Sequence, residues 1–345
     1  MRICFYISGH GFGHASRSIE LIRVLLERDS GLRIFVRTSA PQWLFAVAGV
    51  RINYKALDAD IGMVQRDSIT MDVSETARRA AAFYGSFERR ADEEAALLKS
   101  EDIDLVLGDI PPLAHAAAAR AGVRSIAIGN FTWDWIYEYY ETFERDAPGV
   151  IQTIREAYAL ADRALRLPLH GGFATFASVV DIPLVARRSA RAREETRRML
   201  NVPGDRPFVL ASFGGYGLDV AYDEIARREH LSVLAPAVAL PPPLAYQDLV
   251  AAADVVLTKP GYGIISECVA NGTPMLYTSR GAFAEYDVFV AGMPRILRCR
   301  FMPQDDVRAG RWRAHVDALL AQTDPPERAR IDGANVATDL ILQRG

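Results

Sequence analysis

LTKPGYGIISECVANGTPMLY, residues 257–277, decides the fold: an apolar run ends in a glycine-rich turn, a helical stretch follows, and a Gly-Thr-Pro break opens a second apolar run. This is the strand-helix-strand unit of a parallel sheet covered on both faces. FVLASFGG (208–215), DVVLTKPG (254–261) and PMLYTS (274–279) extend the series in the second half of the chain. In the first half the strand signals are ICFYIS (3–8), LRIFVRTS (32–39), DLVLGD (104–109) and RSIAIGN (124–130), with Ala-rich helical stretches at 75–99 and 113–121. After the first strand, Ile19, Ile22, Leu25 and Leu26 recur at helical spacing and share one face. Residues 168–206 separate the halves, with Pro168, Gly171, Gly172, Pro183 and Pro203 and six arginines between Arg187 and Arg198. That run, balanced by Glu194 and Glu195, reads as a solvated helix face.

The pattern predicts an α/β protein with two Rossmann-like parallel-sheet domains. The expected parts are a first domain at 1–168, a linker with connecting helix at 169–206, a second domain at 207–325, and a C-terminal helix at 326–345. Ligands of such sheets bind at the carboxyl ends of the strands, so chemistry is expected in the cleft between the halves.

The chain has 345 residues, 50% of them hydrophobic and 24% charged, which excludes disordered and fibrous classes. A net charge of −3 gives no footprint for nucleic acid or an acidic membrane surface. Cys4, Cys268 and Cys299 are too scattered for a disulfide framework or a paired metal site. No apolar run approaches the roughly 18 residues of a membrane span, and the apolar stretch at 3–7 is too short for a signal peptide, so the expected location is the cytoplasm. Of 40 basic residues only Lys55, Lys99 and Lys259 are lysine, which draws attention to each.

SGHGFGHASR (8–17) places three glycines and two histidines in one strand-to-helix turn, where backbone can approach a ligand and new helix N–H groups face an anion. The dinucleotide fingerprint fails there, because its third glycine position is His14, and no phosphate-binding GxxxxGK[ST] loop is present. His10 and His14 are candidate bases or turn caps. Asp109, at a strand end, either orients a histidine or caps the helix entered through Pro111 and Pro112. Around 257–277, Gly261 and Gly263 clear a helix start that favours phosphate by roughly 0.3–1 kcal/mol. Lys259 adds charge, and Glu267 suits ribose hydroxyls or serves the helix dipole. Asp58 and Asp60 form a DxD that is discounted as a metal site, on the ground that it precedes no suitable strand-end site. The aromatic segment at 130–143 reads as core packing or as a sugar-stacking platform at Trp133, with Asp134 orienting hydroxyls.

These stretches, with DADIGMVQRDSITMD (58–72), GDIPPLAHAAAARAGVRSIAIGNFTWDWIY (108–137), VDIPLVARR (180–188) and SFGGYG (212–217), resemble the GT-B nucleotide-sugar glycosyltransferases. The resemblance is to the glycosyltransferase-like domain that precedes the sugar-kinase domain of plant L-arabinokinase, and it covers most of the chain in order. It implies a nucleotide-diphosphate sugar as co-substrate, UDP-linked, held by Gly214, Gly215, Lys259, Gly261, Tyr262, Gly263, Ser266, Glu267 and, more loosely, Glu285. It implies an unidentified hydroxyl-bearing acceptor near Gly11, Gly13, Arg17, Trp133 and Asp134, with His14 as base, His10 in reserve and Asp109 as partner. No bound metal or cofactor is expected. Peripheral membrane association and oligomeric state stay open. Retaining relatives carry Glu eight residues before the ribose-binding Glu. Lys259 stands there, which favours inversion. The base-contacting loop falls at PPPLAYQ (241–247). The competing readings are a nucleotide-sugar epimerase or hydrolase of the same fold and a non-catalytic nucleotide-sugar binding module.

Overall fold

The computed structural model describes residues 1–66, 70–214, 217–235 and 244–343. The chain forms two compact units, one of Met1–Arg66, Met71–Val185 and Asp332–Gly345, the other containing Ala186–Ile331.

The first unit is built on a seven-stranded parallel sheet. Its strands are β1 (Arg2–Ile7), β2 (Arg33–Thr38), β3 (Asn53–Ala56), β4 (Leu105–Asp109), β5 (Arg124–Gly129), β6 (Arg163–Arg166) and β7 (Val179–Asp181), in the order β3-β2-β1-β4-β5-β6-β7. β1 and β4 are buried almost throughout, as expected for strands covered on both faces. The strand order reverses between them, and Ile7 lies in register with Asp109. The glycine-rich loop and Asp109 therefore leave the sheet side by side at its switch point, the usual ligand edge of a doubly wound sheet. Cys4, Tyr6, Val106, Ala114 and Leu98 form part of the core on one face, each large apolar side chain contributing about 1.5–3 kcal/mol by burial.

The second unit has a five-stranded parallel sheet: β8 (Phe208–Ser212), β9 (Ser232–Leu234), β10 (Val255–Thr258), β11 (Met275–Tyr277) and β12 (Cys299–Phe301), in the order β12-β11-β10-β8-β9. Its switch point lies between β8 and β10, where Ser212 pairs with Thr258. Val209, Leu257, Leu276, Trp312 and Val316 fill its core.

The segment expected to link the domains is divided between them. β7 joins the first sheet, because Val179–Asp181 continues the ladder beyond β6, and Val185 bridges Asp332 within the same unit. The terminal helix Gly333–Leu342 also belongs to the first unit, packing on the helix Phe12–Arg28 with Arg28 paired to Asp339 at 2.6 Å. Gly333 is needed there: a Cβ would lie 2.1 Å from the Pro183 carbonyl oxygen. The arginine-rich run is a solvated face only in part: Arg188 and Arg198 are exposed and the other four are half-buried. Arg193 and Arg197 both pair with Asp254, and Arg197 donates to the Ala252 carbonyl at 2.8 Å, so the helix Arg193–Met199 is fastened to the end of the helix Tyr246–Ala252. Among the described residues no helix is long and apolar enough to cross a membrane.

Candidate functional site

In the first unit the turn after β1 is shaped by its glycines. A Cβ on Gly9 would lie 2.0 Å from the Ser39 hydroxyl, and Gly11, with φ 76°, begins the helix Phe12–Arg28 from a left-handed conformation. Gly13 and His14 then fall in the first turn, and Arg17 and Ser18 follow one turn on, on the face toward β4.

All three side chains converge on Asp109. His14 Nδ1 lies 2.8 Å from Asp109 Oδ1. Arg17 donates from Nε to Oδ2 at 2.7 Å and from Nη2 to Oδ1 at 2.5 Å, while Ser18 donates to Oδ2 at 2.8 Å. Arg17 Nη1 donates to Asn130 Oδ1 at 2.7 Å. His14, Arg17 and Asp109 are 6%, 4% and 1% exposed, so these bonds form out of water and are strong. Burial by itself raises the Asp109 carboxyl, but Arg17 and His14 overcome it and hold the group at about 2. For His14, burial and then the Arg17 charge outweigh Asp109 and lower the imidazole from 6.5. Burial and the Arg17 charge together favour the neutral ring over the imidazolium. The N-cap position of the helix Pro112–Ala121 is Pro111, with no side-chain cap bond, so Asp109 does not cap that helix.

His10 is held elsewhere. Its Nδ1 accepts the Met63 N–H at 3.2 Å, and its ring stands edge-on to Trp133 at 5.6 Å. Asp60, discounted only as a metal ligand, lies on the loop after β3, where its carboxylate accepts from Ser8 Oγ (3.0 Å) and Trp133 Nε1 (2.8 Å). Burial pushes this carboxyl up to about 7. Trp133 is 0% exposed, stacked on Tyr137 and edge-on to Phe131, so it offers no open face for a sugar. Asp134 is buried toward Arg155, with 3.3 Å between Oδ2 and Nε. Both are packing residues of the helix Trp133–Glu138, which corrects their expected place on the acceptor. Arg17 likewise points inward and not to an acceptor. An aromatic ring that does stay exposed just beyond β2 is Trp43, edge-on to Phe12 at 6.0 Å.

In the second unit, Lys259 follows β10, and the helix Tyr262–Asn271 starts at Gly261 with no acidic residue in its first turn. Gly214, with φ 76°, leaves β8 beside it; Gly215 and the prolines of 241–243 lie outside the described residues. Tyr262 is buried, and Ser266 spends its hydroxyl on the Gly263 carbonyl at 2.9 Å. Glu267 sits in the second turn, 3% exposed, with Oε1 accepting from Arg187 Nε at 2.7 Å. Asn271 bonds both the Arg187 and Glu267 carbonyls, laying the 187–189 segment along the helix. Arg280, absent from the sequence reading, reaches the Pro260 carbonyl at 3.2 Å, covers Phe283 at 3.7 Å and lies 4.0 Å from Glu285. The one signal for it was its place just after a strand end, which is weak in an arginine-rich chain. Among the described residues no group of three or more His, Cys, Asp or Glu is spaced to hold a metal ion.

Two parallel sheets, each with its glycine-rich turn at a switch point, define the GT-B fold. No family model matches the chain. Over 98% of its length it is 30% identical to L-arabinokinase of Arabidopsis thaliana, and it spans 34% of that relative. The calicheamicin glycosyltransferase is similar in structure at a TM-score of 0.61 and 17% identity, with 99% of this chain and 97% of that chain covered. A UDP-N-acetylglucosamine 2-epimerase is similar at a TM-score of 0.53 and 13% identity, with 99% and 96% covered.

Proposed function

We propose that the chain is a glycosyltransferase that moves a sugar from a nucleotide-diphosphate donor, UDP-linked, to an acceptor hydroxyl, with inversion and without a bound metal. The observation that carries this reading is the contact of His14 Nδ1 with Asp109 Oδ1 at the switch point of the first sheet. With Nδ1 turned to Asp109, Nε2 is the nitrogen that takes the acceptor proton. The acceptor oxygen forms its bond to the anomeric carbon as the bond from that carbon to the diphosphate breaks, and the electron pair leaves with the nucleotide diphosphate. Lys259 and the start of the helix Tyr262–Asn271 receive that anion, and Glu267 takes the ribose hydroxyls. Lys259, standing eight residues before Glu267, supports inversion through the resemblance described above.

The test is a panel of nucleotide-diphosphate sugars with hydroxyl acceptors, run on the wild type and on His14→Ala. Loss of transfer by roughly 10²- to 10⁴-fold in the variant is the expected result, and unchanged transfer sinks the mechanism. Asp60 favours a second reading. A buried carboxyl that changes charge near neutrality, in the same unit as a histidine base, suits an epimerase that removes and returns a proton. Isomerisation of the donor sugar without any acceptor would select that reading.

A further inference from the structure

Asp109 Oδ1 receives His14 and Arg17, and Oδ2 receives Arg17 and Ser18. Four contacts fill the accepting capacity of a carboxylate. Arg17 Nη2 also lies 2.9 Å from His14 Nδ1, so the guanidinium stands at a fork between two tautomers. If Nδ1 were bare, it would accept from Arg17, Nε2 would carry the proton, and the ring could take none from an acceptor. A bare Nδ1 would also place its lone pair 2.8 Å from an ionised oxygen. With Asp109 ionised, the hydrogen therefore belongs on Nδ1. Arg17 keeps Asp109 ionised, and it is itself fixed from the far side by Asn130.

We propose that Arg17 is a positioning residue of the transfer reaction: by clamping Asp109 as the carboxylate it holds His14 as the Nδ1–H tautomer, with Nε2 bare for the acceptor proton. The inference rests on His14 as the base. Arg17 and Asp109 together are neutral, so protonating His14 leaves the cluster with one net positive charge. The ring therefore stays unprotonated further into acid than a histidine facing a carboxylate alone. The other polar groups around the cluster are Ser18 on the same helix and Asn130 after β5. Asp60, on the loop after β3, feels the Asp109 charge.

Imidazole nitrogen NMR of the ¹⁵N-histidine-labelled protein reads this directly and needs no substrate. The wild type is expected to show His14 as Nδ1–H, titrating below 6.5. In Arg17→Gln the midpoint should rise by roughly 1 unit or more, since a like charge is removed while Asp109 remains. In Arg17→Lys the charge persists without the fork, so the midpoint should stay low while the tautomer becomes mixed. A wild-type Nε2–H tautomer, or a folded Arg17→Gln with midpoint and tautomer unchanged, overturns the proposal. If Arg17→Gln does not fold, the wild-type tautomer and the lysine variant decide. In the transfer assay Arg17→Lys should lower kcat roughly 10- to 10²-fold with acceptor KM nearly unchanged, and a rise confined to KM would make Arg17 an acceptor ligand. Transfer that survives His14→Ala would refute the base without touching the NMR result, so the two failures are separable.

Discussion

The two switch points are built on opposite plans. In the first unit a buried anion is saturated by its own neighbours: His14, Arg17 and Ser18 spend their hydrogens on Asp109. In the second, the positive end of the helix Tyr262–Asn271 meets no acid in its first turn, and Lys259 adds to it. Glu267, one turn deeper, is matched by Arg187. Under the proposed function, the first arrangement prepares a nitrogen to accept a proton and the second prepares a turn to accept a phosphate.

The largest expected effect comes from breaking the first plan at its centre. Asp109→Asn leaves Arg17 buried without its counter-charge, and unfolding measurements should find a loss of roughly 3–5 kcal/mol. Lys259→Glu attacks the second plan. Like charges facing across a binding site cost several kcal/mol, so calorimetric titration with nucleoside diphosphates should show affinity down by roughly 10²-fold or more. Unchanged affinity would return Lys259 to the background of surface cations.

A pH series separates the two carboxyls of the first unit. Asp109 is held down at about 2 against an ordinary 3.8, so its contribution of roughly 2 kcal/mol is present above 3.8 and lost as pH falls through 2. Asp60 is raised to about 7, so its contribution is full below 3.8 and fades as pH rises through 7. Asp60→Asn should flatten the stability curve between those limits while Asp109→Asn should not, and denaturant midpoints across that range check it. The smallest effect is expected at Arg197→Ala, whose carboxylate partner Asp254 is shared with Arg193. A loss of about 1 kcal/mol in the same assay is expected, and a loss as large as that of Asp109→Asn would erase the contrast between the site and its scaffold.

What was legible in the sequence follows from burial. β1, β4, β5, β8 and β10 read as apolar runs because both their faces are covered. β3 and β12 were not read: they are three or four residues long and largely open, so they leave no apolar run. His14 and Asp109 were legible because a strand end places a side chain without knowledge of its partners. Arg17 and Arg187 were not, since their carboxylates lie 92 and 80 residues away and one arginine among many carries no mark of its pairing. Trp133 was misjudged because an aromatic segment reads alike whether its rings are open or packed.

The bridge between Val185 and Asp332, reinforced by the Gly333 N–H on the Leu184 carbonyl at 3.0 Å, has an evolutionary consequence. The chain departs from the first unit after Val185 and re-enters it at Asp332, so Ala186–Ile331 is inserted into the first unit as one cassette between neighbouring junctions. Exchange of that cassette for another of the same architecture needs only two neighbouring junctions, and under the proposed function a descendant could change its donor while inheriting its proton chemistry intact.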